Sequence, residues 1–342
     1  MLKKKLKSIL LIGFSIILML ASIPSFSADA SPVRGYSMMK DISYTDPVPA
    51  NTKGNLLDLY IPEKPGKSKL PLLIWSGGSA WFSDAGKEGV PSELVTYFTE
   101  KGYAVAGVSV RSSSQVQYPG QLHDIRAAIR WLREHAEEYN FDPNRFAISG
   151  NSSGGWVAAI AATTSNIWEI EGETNIQTSS AVQASVPFFP PTNFLMMDEQ
   201  QREQGGLFII EHDAPNSPES SLIGQPIQSV PELTMKANPI TYIDNNMPAM
   251  HIFHGGSDIL LPYGQSEILY DAMAEAGNEV LFTFVPSAGH SVEEIVSASE
   301  YTTYRTNPGG QEQILKGDAP TWKNIERFIN IALNKARSGS GK

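Results

Sequence analysis

The stretch RFAISGNSSGGW, residues 145–156, places three serines where an apolar, strand-like run ends and an alanine-rich, helix-like run begins. A nucleophilic serine at such a junction needs small residues two positions before and two after it, because strand and helix nearly touch there. Only Ser152 meets this requirement, with Gly150 and Gly154; the other two serines each have Asn151 at one of these positions. The pattern predicts that Ser152 stands on a sharp strand-to-helix turn.

Outward from this turn, strand-like and helix-like runs alternate along most of the chain, which is typical of a parallel sheet with helices on both faces. We therefore predict an α/β fold with a mostly parallel, doubly wound sheet, preceded by an antiparallel strand pair in DISYT and LLDLYI. An irregular excursion over the sheet's edge is expected at about 190–246, and a polar insert at 297–322 is expected to be a surface loop bordering the cleft. The predicted strands are 70–76, 103–110, 145–150, 181–189, 249–255 and 279–286, and the predicted helices are 92–102, 121–139, 153–164, 264–277 and about 320–336.

The first thirty residues have the order of a secretory signal peptide: four lysines, an apolar run over 9–23, and small residues that offer cleavage after Ser27 or Ala30. A retained membrane anchor is the alternative, but this run is shorter than the roughly 20 residues a spanning helix needs. We expect a secreted protein without stable membrane association, with one domain over 31–337 and a disordered tail at 338–342.

The charge of the chain argues against a nucleic-acid partner. The first thirty residues hold four of the 26 basic residues and one of the 36 acidic ones, so 22 and 35 remain after cleavage, a net charge of −13. Nucleic-acid binding depends on basic surface, so we expect none, and a neutral substrate is favoured. The chain has no cysteine, which excludes thiol nucleophiles and cysteine metal sites.

A serine nucleophile needs a histidine base and a carboxylate that orients it, and on this architecture they follow in the order serine, acid, histidine. His290 lies in PSAGHSVEE, a loop at the carboxyl end of a predicted strand, where catalytic groups of open α/β sheets gather. His251 and His254 belong to a strand and its exit, and their spacing predicts opposite faces and a structural role. His212, inside the excursion, is expected to be exposed.

The acid should also lie on a loop at a strand end, before His290. Asp258 follows the strand 249–254 directly, in a turn made tight by two glycines in HGGSDILLP. Asp271 and Glu275 fall on the next helix and are expected to face solvent, whereas Glu293 and Glu294 are placed to stabilise a helix N-terminus. We predict that Asp258 is the acid.

Ester hydrolysis also needs backbone N–H groups for the developing oxyanion. The amide of Ser153, next after the nucleophile, is one predicted donor. The second is expected in WSGGSAW, after the strand 70–76, from the amides of Gly78 and Ser79. Trp81 and Phe82, in the same loop, are predicted to wall the cleft and contact substrate.

The order of strand, glycine-flanked serine, acid and histidine resembles the α/β-hydrolase superfamily. More narrowly, the chain is similar over about 40–335 to the BD-FAE-like carbohydrate esterases, typified by bifunctional acetylxylan and feruloyl esterases. The stretches that carry the resemblance are QLHDIRAAIRWLREHAEEYNFDPNRFAISGNSSGGWVAA, SPESSLIG, ANPITYID, HIFHGGSDILLPYGQSEILYDAMAEAG and VPSAGH.

By that likeness Ser152 is nucleophile, His290 base and Asp258 orienting acid, acting on a small-molecule or carbohydrate ester without metal or organic cofactor. The chain departs from the family where the loop after the first parallel strand usually carries a histidine before its glycines; Gly77 takes that place. Two other functions stay open: a serine peptidase of oligopeptidase type, and a hydrolase-like binding protein without activity.

Overall fold

The computed structural model describes residues 35–174, 176–306, 312–315 and 319–339. The predicted signal peptide lies outside these residues, as do the last three residues of the predicted tail. Within the described part of the chain, no helix has both the length and the apolar character needed to cross a bilayer.

The architecture is a ten-stranded sheet in the order β1-β2-β4-β3-β5-β6-β7-β8-β9-β10, counting the strands of the described residues. The central strands from β4 to β8 run parallel, and antiparallel strands extend both edges. This is the predicted α/β-hydrolase fold, including the antiparallel pair at the start. The strands are β1 Tyr36–Ser43, β2 Leu56–Pro62, β3 Leu70–Ser76, β4 Ala104–Val108, β5 Phe141–Asn151, β6 Ala184–Phe188, β7 Ala249–Gly255, β8 Val280–Val285, β9 Thr302–Thr306 and β10 Glu312–Leu315.

Helices cover both faces of the sheet, and each face has its own apolar cluster. One cluster lies under α2 and α3, and the other under α1, α8 and α9. The strands between them are buried on both sides, which explains their continuous apolar sequences. The helices are α1 Ser92–Glu100, α2 Gly120–Glu134, α3 Ser153–Thr163, α4 Met197–Gln204, α5 Pro218–Ile223, α6 Pro231–Lys236, α7 Gly264–Glu275, α8 Val292–Val296 and α9 Trp322–Gly339.

The polar insert at 297–322 is a correction to the sequence prediction. Instead of a surface loop, it contains β9 and β10, and β9 pairs antiparallel with β8 at the end of the sheet. Thr303 and Thr306, which point to opposite faces of β9, are both almost completely buried. Their hydroxyls bond those of Thr283 and Tyr270, at 2.8 and 2.7 Å. A strand that packs through threonine hydroxyls lacks the apolar alternation by which strands are recognised.

Helix α2 and the excursion also differ from the prediction. Helix α2 ends at Glu134 rather than 139. The excursion at 190–246 is mainly short helices, α4 to α6, joined by turns. The parallel strands nevertheless end where expected, so the loops after β3, β5, β7 and β8 meet at one edge of the sheet.

Candidate active site

Ser152 occupies the turn between β5 and α3 in a backbone conformation that few residues other than glycine adopt, with φ 57° and ψ −127°. Its N–H donates to the carbonyl of Phe188 at 3.0 Å, and its carbonyl accepts the N–H of Trp156 at 2.9 Å. The flanking glycines are sterically required. A Cβ on Gly150 would lie 2.3 Å from the Gly154 carbonyl oxygen, and one on Gly154 would lie 2.0 Å from that of Ser76.

The three serines of this stretch differ in what their hydroxyls contact. Ser149 is buried and donates to the carbonyl of Val186 at 2.6 Å. The Oγ of Ser153, also buried, accepts the backbone N–H of Ser79 at 2.8 Å. Ser152 is partly exposed, and its hydroxyl has no hydrogen bond to any described residue. Ser152 is therefore the serine of the three whose hydroxyl is available to another molecule.

His290 and Asp258 are brought together by two loops that are bonded to each other through the backbone. Ser257 donates its N–H to the Ala288 carbonyl at 2.9 Å, and the Nδ1–H of His290 donates to Oδ2 of Asp258 at 2.7 Å. The imidazole is 17% exposed, and its centroid lies 4.3 Å from that of the Phe189 ring. Phe189 directly follows Phe188, whose carbonyl accepts the Ser152 N–H. Within the described part of the chain, no hydrogen bond joins His290 to the Ser152 hydroxyl.

The carboxylate of Asp258 is almost fully surrounded by donors. Its Oδ1 accepts the backbone N–H groups of Leu260 and Leu261 at 2.8 and 3.0 Å, and Nε2 of His254 lies 3.5 Å from Oδ2. Burial alone would raise the pKa of Asp258, but the bonds from His254 and His290 outweigh it and hold the pKa well below its usual range. The group therefore stays ionised.

His254 is closer to this chemistry than the sequence indicated. Its imidazole is completely buried, with Nδ1 2.7 Å from the Ser266 hydroxyl on α7. His251 lies three positions earlier on the same strand and has different contacts. Its Nε2 lies 2.8 Å from the Thr283 hydroxyl, and its ring packs against Phe328 of α9. The sequence signal for the contact between His254 and Asp258 is their spacing of four residues, across two glycines.

His212 was expected to be exposed, and this prediction is wrong: the side chain is completely buried. Its Nδ1 lies 3.0 Å from the Glu219 carboxylate, and its Nε2–H donates to the Leu260 carbonyl at 3.1 Å. The segment turns inward because Asp198 accepts the backbone N–H groups of His212 and Asp213. Burial would lower the pKa of His212, but Glu219 outweighs burial and raises it.

The loop after β3 reaches the nucleophile turn, but its predicted oxyanion donors already have partners. A Cβ on Gly78 would lie 2.6 Å from the Cβ of Ser152. The Gly78 amide donates to Oδ1 of Asn151 at 3.2 Å, and the Ser79 amide donates to Oγ of Ser153. The amide of Ser153 opens α3, where first-turn N–H groups have no partner within the helix.

Position 77, where the family usually has a histidine, has no room for a side chain in this protein. A Cβ on Gly77 would lie 2.8 Å from the carbonyl oxygen of Gly86 and 3.0 Å from the Cα of Gly89. The Gly77 N–H also donates to the Gly86 carbonyl at 3.0 Å. The segment 86–89 therefore occupies the space that a larger residue at position 77 would need.

The two aromatic residues of this loop lie in different environments. Trp81 is 3% exposed and packs edge-on against Trp156 and Phe194, with ring centroids 5.5 and 5.6 Å away. This burial corrects the prediction that Trp81 contacts substrate: its ring supports the loop from the core. Phe82 is 58% exposed and is free to contact a ligand. Among the described residues, no three histidine, aspartate or glutamate side chains are grouped to hold a metal ion.

Comparison with known proteins assigns the family. The family model BD-FAE matches residues 57–273. The chain belongs to the BD-FAE family. The curated relatives that the chain matches include a probable carboxylic ester hydrolase and two esterases, and the chain spans 54% to 58% of their length.

Three similar proteins illustrate this membership. A probable carboxylic ester hydrolase of Mycobacterium tuberculosis, LipM, is 26% identical over 78% of this chain, which spans only 58% of that protein. A bifunctional GH43-CE protein of Bacteroides eggerthii is 31% identical, with a TM-score of 0.64, and the match covers 74% of this chain and 35% of that one. A truncated carbohydrate esterase from gut microbiota is 26% identical, with a TM-score of 0.69, over 87% and 97% of the two chains.

Proposed function

We propose that the protein is a secreted serine carboxylesterase that hydrolyses acetyl or feruloyl esters of carbohydrates through an acyl-enzyme on Ser152. The observation that carries the proposal is the pairing of His290 with the ionised, buried Asp258 beside a strained turn that exposes the Ser152 hydroxyl. Membership of the BD-FAE family, and the carbohydrate esterases among its structural neighbours, support the carbohydrate substrate.

In the first half-reaction, Nε2 of His290 takes the proton of the Ser152 hydroxyl as Oγ attacks the carbonyl carbon of the ester. Asp258 holds the Nδ1–H of His290, which fixes the tautomer and stabilises the imidazolium that forms. The amide of Ser153 donates to the oxyanion. His290 then protonates the leaving sugar hydroxyl, and the acyl group stays on Ser152.

In the second half-reaction, a water molecule gives its proton to His290 and attacks the acyl carbon. The tetrahedral intermediate then collapses, and the bond between the acyl carbon and Oγ breaks. Oγ recovers its proton from His290, and the carboxylic acid is released. The second oxyanion donor must come from the loop after β3. Since the Ser79 amide bonds Ser153 in this structure, its contribution requires that bond to open when substrate binds.

The experiment that tests this function is turnover of p-nitrophenyl acetate and methyl ferulate by the wild type and by Ser152→Ala and Ser153→Ala. We expect Ser152→Ala to lose at least 10³-fold in kcat. Ser153→Ala, which keeps the nucleophile and its own backbone amide, should retain substantial activity. Full activity of Ser152→Ala would contradict the mechanism, and an inert wild type that no fluorophosphonate labels would contradict the function itself.

A further inference from the structure

A cleft of about 370 Å³ adjoins the candidate active site on the sheet face covered by α1 and α9. Asn151, directly before the nucleophile, and Val292, two residues after His290, both line it. Its volume falls within the roughly 300–1,000 Å³ typical of sites for small ligands. We call it the tryptophan cleft, because Trp75 and Trp322 are among its lining residues.

The tryptophan cleft has an acidic side chain on each of two walls. Glu93 lies in the first turn of α1, and Glu293 lies in the first turn of α8. Both are exposed, and neither forms an ion pair with a described residue. Each carboxylate is placed to complement the dipole of its own helix, but a structural role of that kind does not require the two to face one cleft.

The two tryptophans carry polar groups that the protein leaves unsatisfied. Trp75 is completely buried, Trp322 is partly buried with its ring 6.1 Å from that of Phe188, and neither indole N–H has an acceptor among the described residues. Both nitrogens are enclosed by protein atoms, so they do not donate to a molecule in the cleft.

The lining chemistry selects among possible ligands. Two carboxylates repel an anion and would lose solvation against an alkyl chain, which disfavours phosphate and fatty acyl groups. A sugar ring offers hydroxyl donors for Glu93 and Glu293 and an apolar C–H face for the partly exposed ring of Trp322. The cleft therefore matches a neutral, polyhydroxylated ligand.

We propose that the tryptophan cleft is the subsite for the sugar that carries the ester, with Glu93 and Glu293 accepting hydrogen bonds from its hydroxyls. This inference rests on the proposed function and deepens it.

The test compares Glu93→Gln and Glu293→Gln with the wild type on an acetylated xylo-oligosaccharide and on p-nitrophenyl acetate. A hydrogen bond to a charged group contributes about 1.5–3 kcal/mol, so we expect KM for the sugar ester to rise about tenfold or more in each variant. Turnover of p-nitrophenyl acetate should stay within about twofold. Glu100→Gln is the matched control, because Glu100 is an exposed residue at the far end of the same helix α1.

A second readout separates failure of the subsite from failure of the proposed function. The deacetylated xylo-oligosaccharide should inhibit p-nitrophenyl acetate turnover by the wild type and inhibit the two variants about tenfold more weakly. If the wild type hydrolyses the sugar ester and the variants match it on both readouts, the subsite is wrong and the function stands. If the wild type neither hydrolyses the sugar ester nor is inhibited, the carbohydrate function fails together with the subsite. If the two variants instead lose turnover on a choline ester and keep it on the sugar ester, the cleft binds a cation and the proposal is wrong.

Discussion

His254 shares with His290 a single carboxylate oxygen of Asp258: its Nε2 lies 3.5 Å from Oδ2, and Nδ1 of His290 lies 2.7 Å from the same atom. Nε2 of His254 faces two acceptors, Oδ2 of Asp258 and the Leu261 carbonyl 3.3 Å away, so Nε2 carries the proton and the Ser266 hydroxyl can donate to Nδ1. Two histidines and two backbone amides thus fix the orientation of this carboxylate.

We predict that His254→Phe lowers kcat for p-nitrophenyl acetate about tenfold and changes KM less than twofold, because Asp258 loses one of its donors and orients His290 less well. His254→Gln, which retains an N–H donor, should recover part of kcat. A normal kcat in His254→Phe would reduce His254 to a packing role.

The second prediction concerns the close backbone contact between Gly77 and Gly86. Gly77→Ala forces the loop after β3 away from Gly86 and Gly89, because the added Cβ has no room. The displaced loop can then no longer supply the second oxyanion donor when substrate binds, and the loss of one donor costs about 10²-fold in kcat. Gly66→Ala is the control, since a Cβ there meets nothing within 4 Å. Steady-state kinetics checks both variants, and circular dichroism checks that they fold; a folded Gly77→Ala with normal kcat would show that the loop is not catalytic.

Sequence reasoning predicts those parts of this molecule that depend on local requirements. The buried parallel strands have continuous apolar sequences, and Ser152 is distinguished from Ser149 and Ser153 by glycines that the crossing of β5 and α3 demands. The positions of Asp258 and His290 follow from the rule that loops at the carboxyl edge of a parallel sheet converge. Their pairing at 2.7 Å agrees with that prediction.

The parts that could not be predicted depend on partners distant in sequence. Strand β9 packs through threonine hydroxyls whose partners lie on β8 and α7. The burial of His212 depends on Asp198 and Glu219, and that of Trp81 on Trp156. In each case a polar or aromatic side chain has a compensating contact that only the tertiary structure reveals.

The burial of His251 leads to a prediction about stability and pH. Burial lowers the pKa of His251 to about 3, so the imidazole stays neutral in the folded protein while the unfolded chain protonates it below about pH 6.5. The unfolded state then binds more protons, and the free energy of unfolding falls as pH drops from about 6.5 toward 3. His251→Phe removes this contribution, so its unfolding free energy should fall less steeply over that window. Urea titrations at several pH values measure both slopes, and equal slopes would contradict the assignment.

The last prediction concerns a buried cluster in which Glu173 pairs with Arg126 and Arg130 of α2. Oε1 of Glu173 accepts from Arg126 at 2.8 Å and from Arg130 at 2.5 Å, and all three side chains are almost completely buried. Arg126 also donates to the carbonyls of Thr164 and Ile167, so the cluster fastens the segment after α3 to α2.

Glu173→Gln leaves two buried guanidinium groups without a counter-charge, and we expect it to lower the free energy of unfolding by about 3–5 kcal/mol at pH 7. Glu171→Gln, at a side chain that is 96% exposed, should change it by less than about 0.5 kcal/mol. Burial opposes ionisation of Glu173, but Arg130 and Arg126 outweigh it and lower the pKa. A carboxylate with a lowered pKa stabilises the fold above its unfolded pKa and loses this contribution as pH falls through the folded one. The difference between wild type and Glu173→Gln should therefore narrow below about pH 4, and a gap independent of pH would show that charge pairing is not its source.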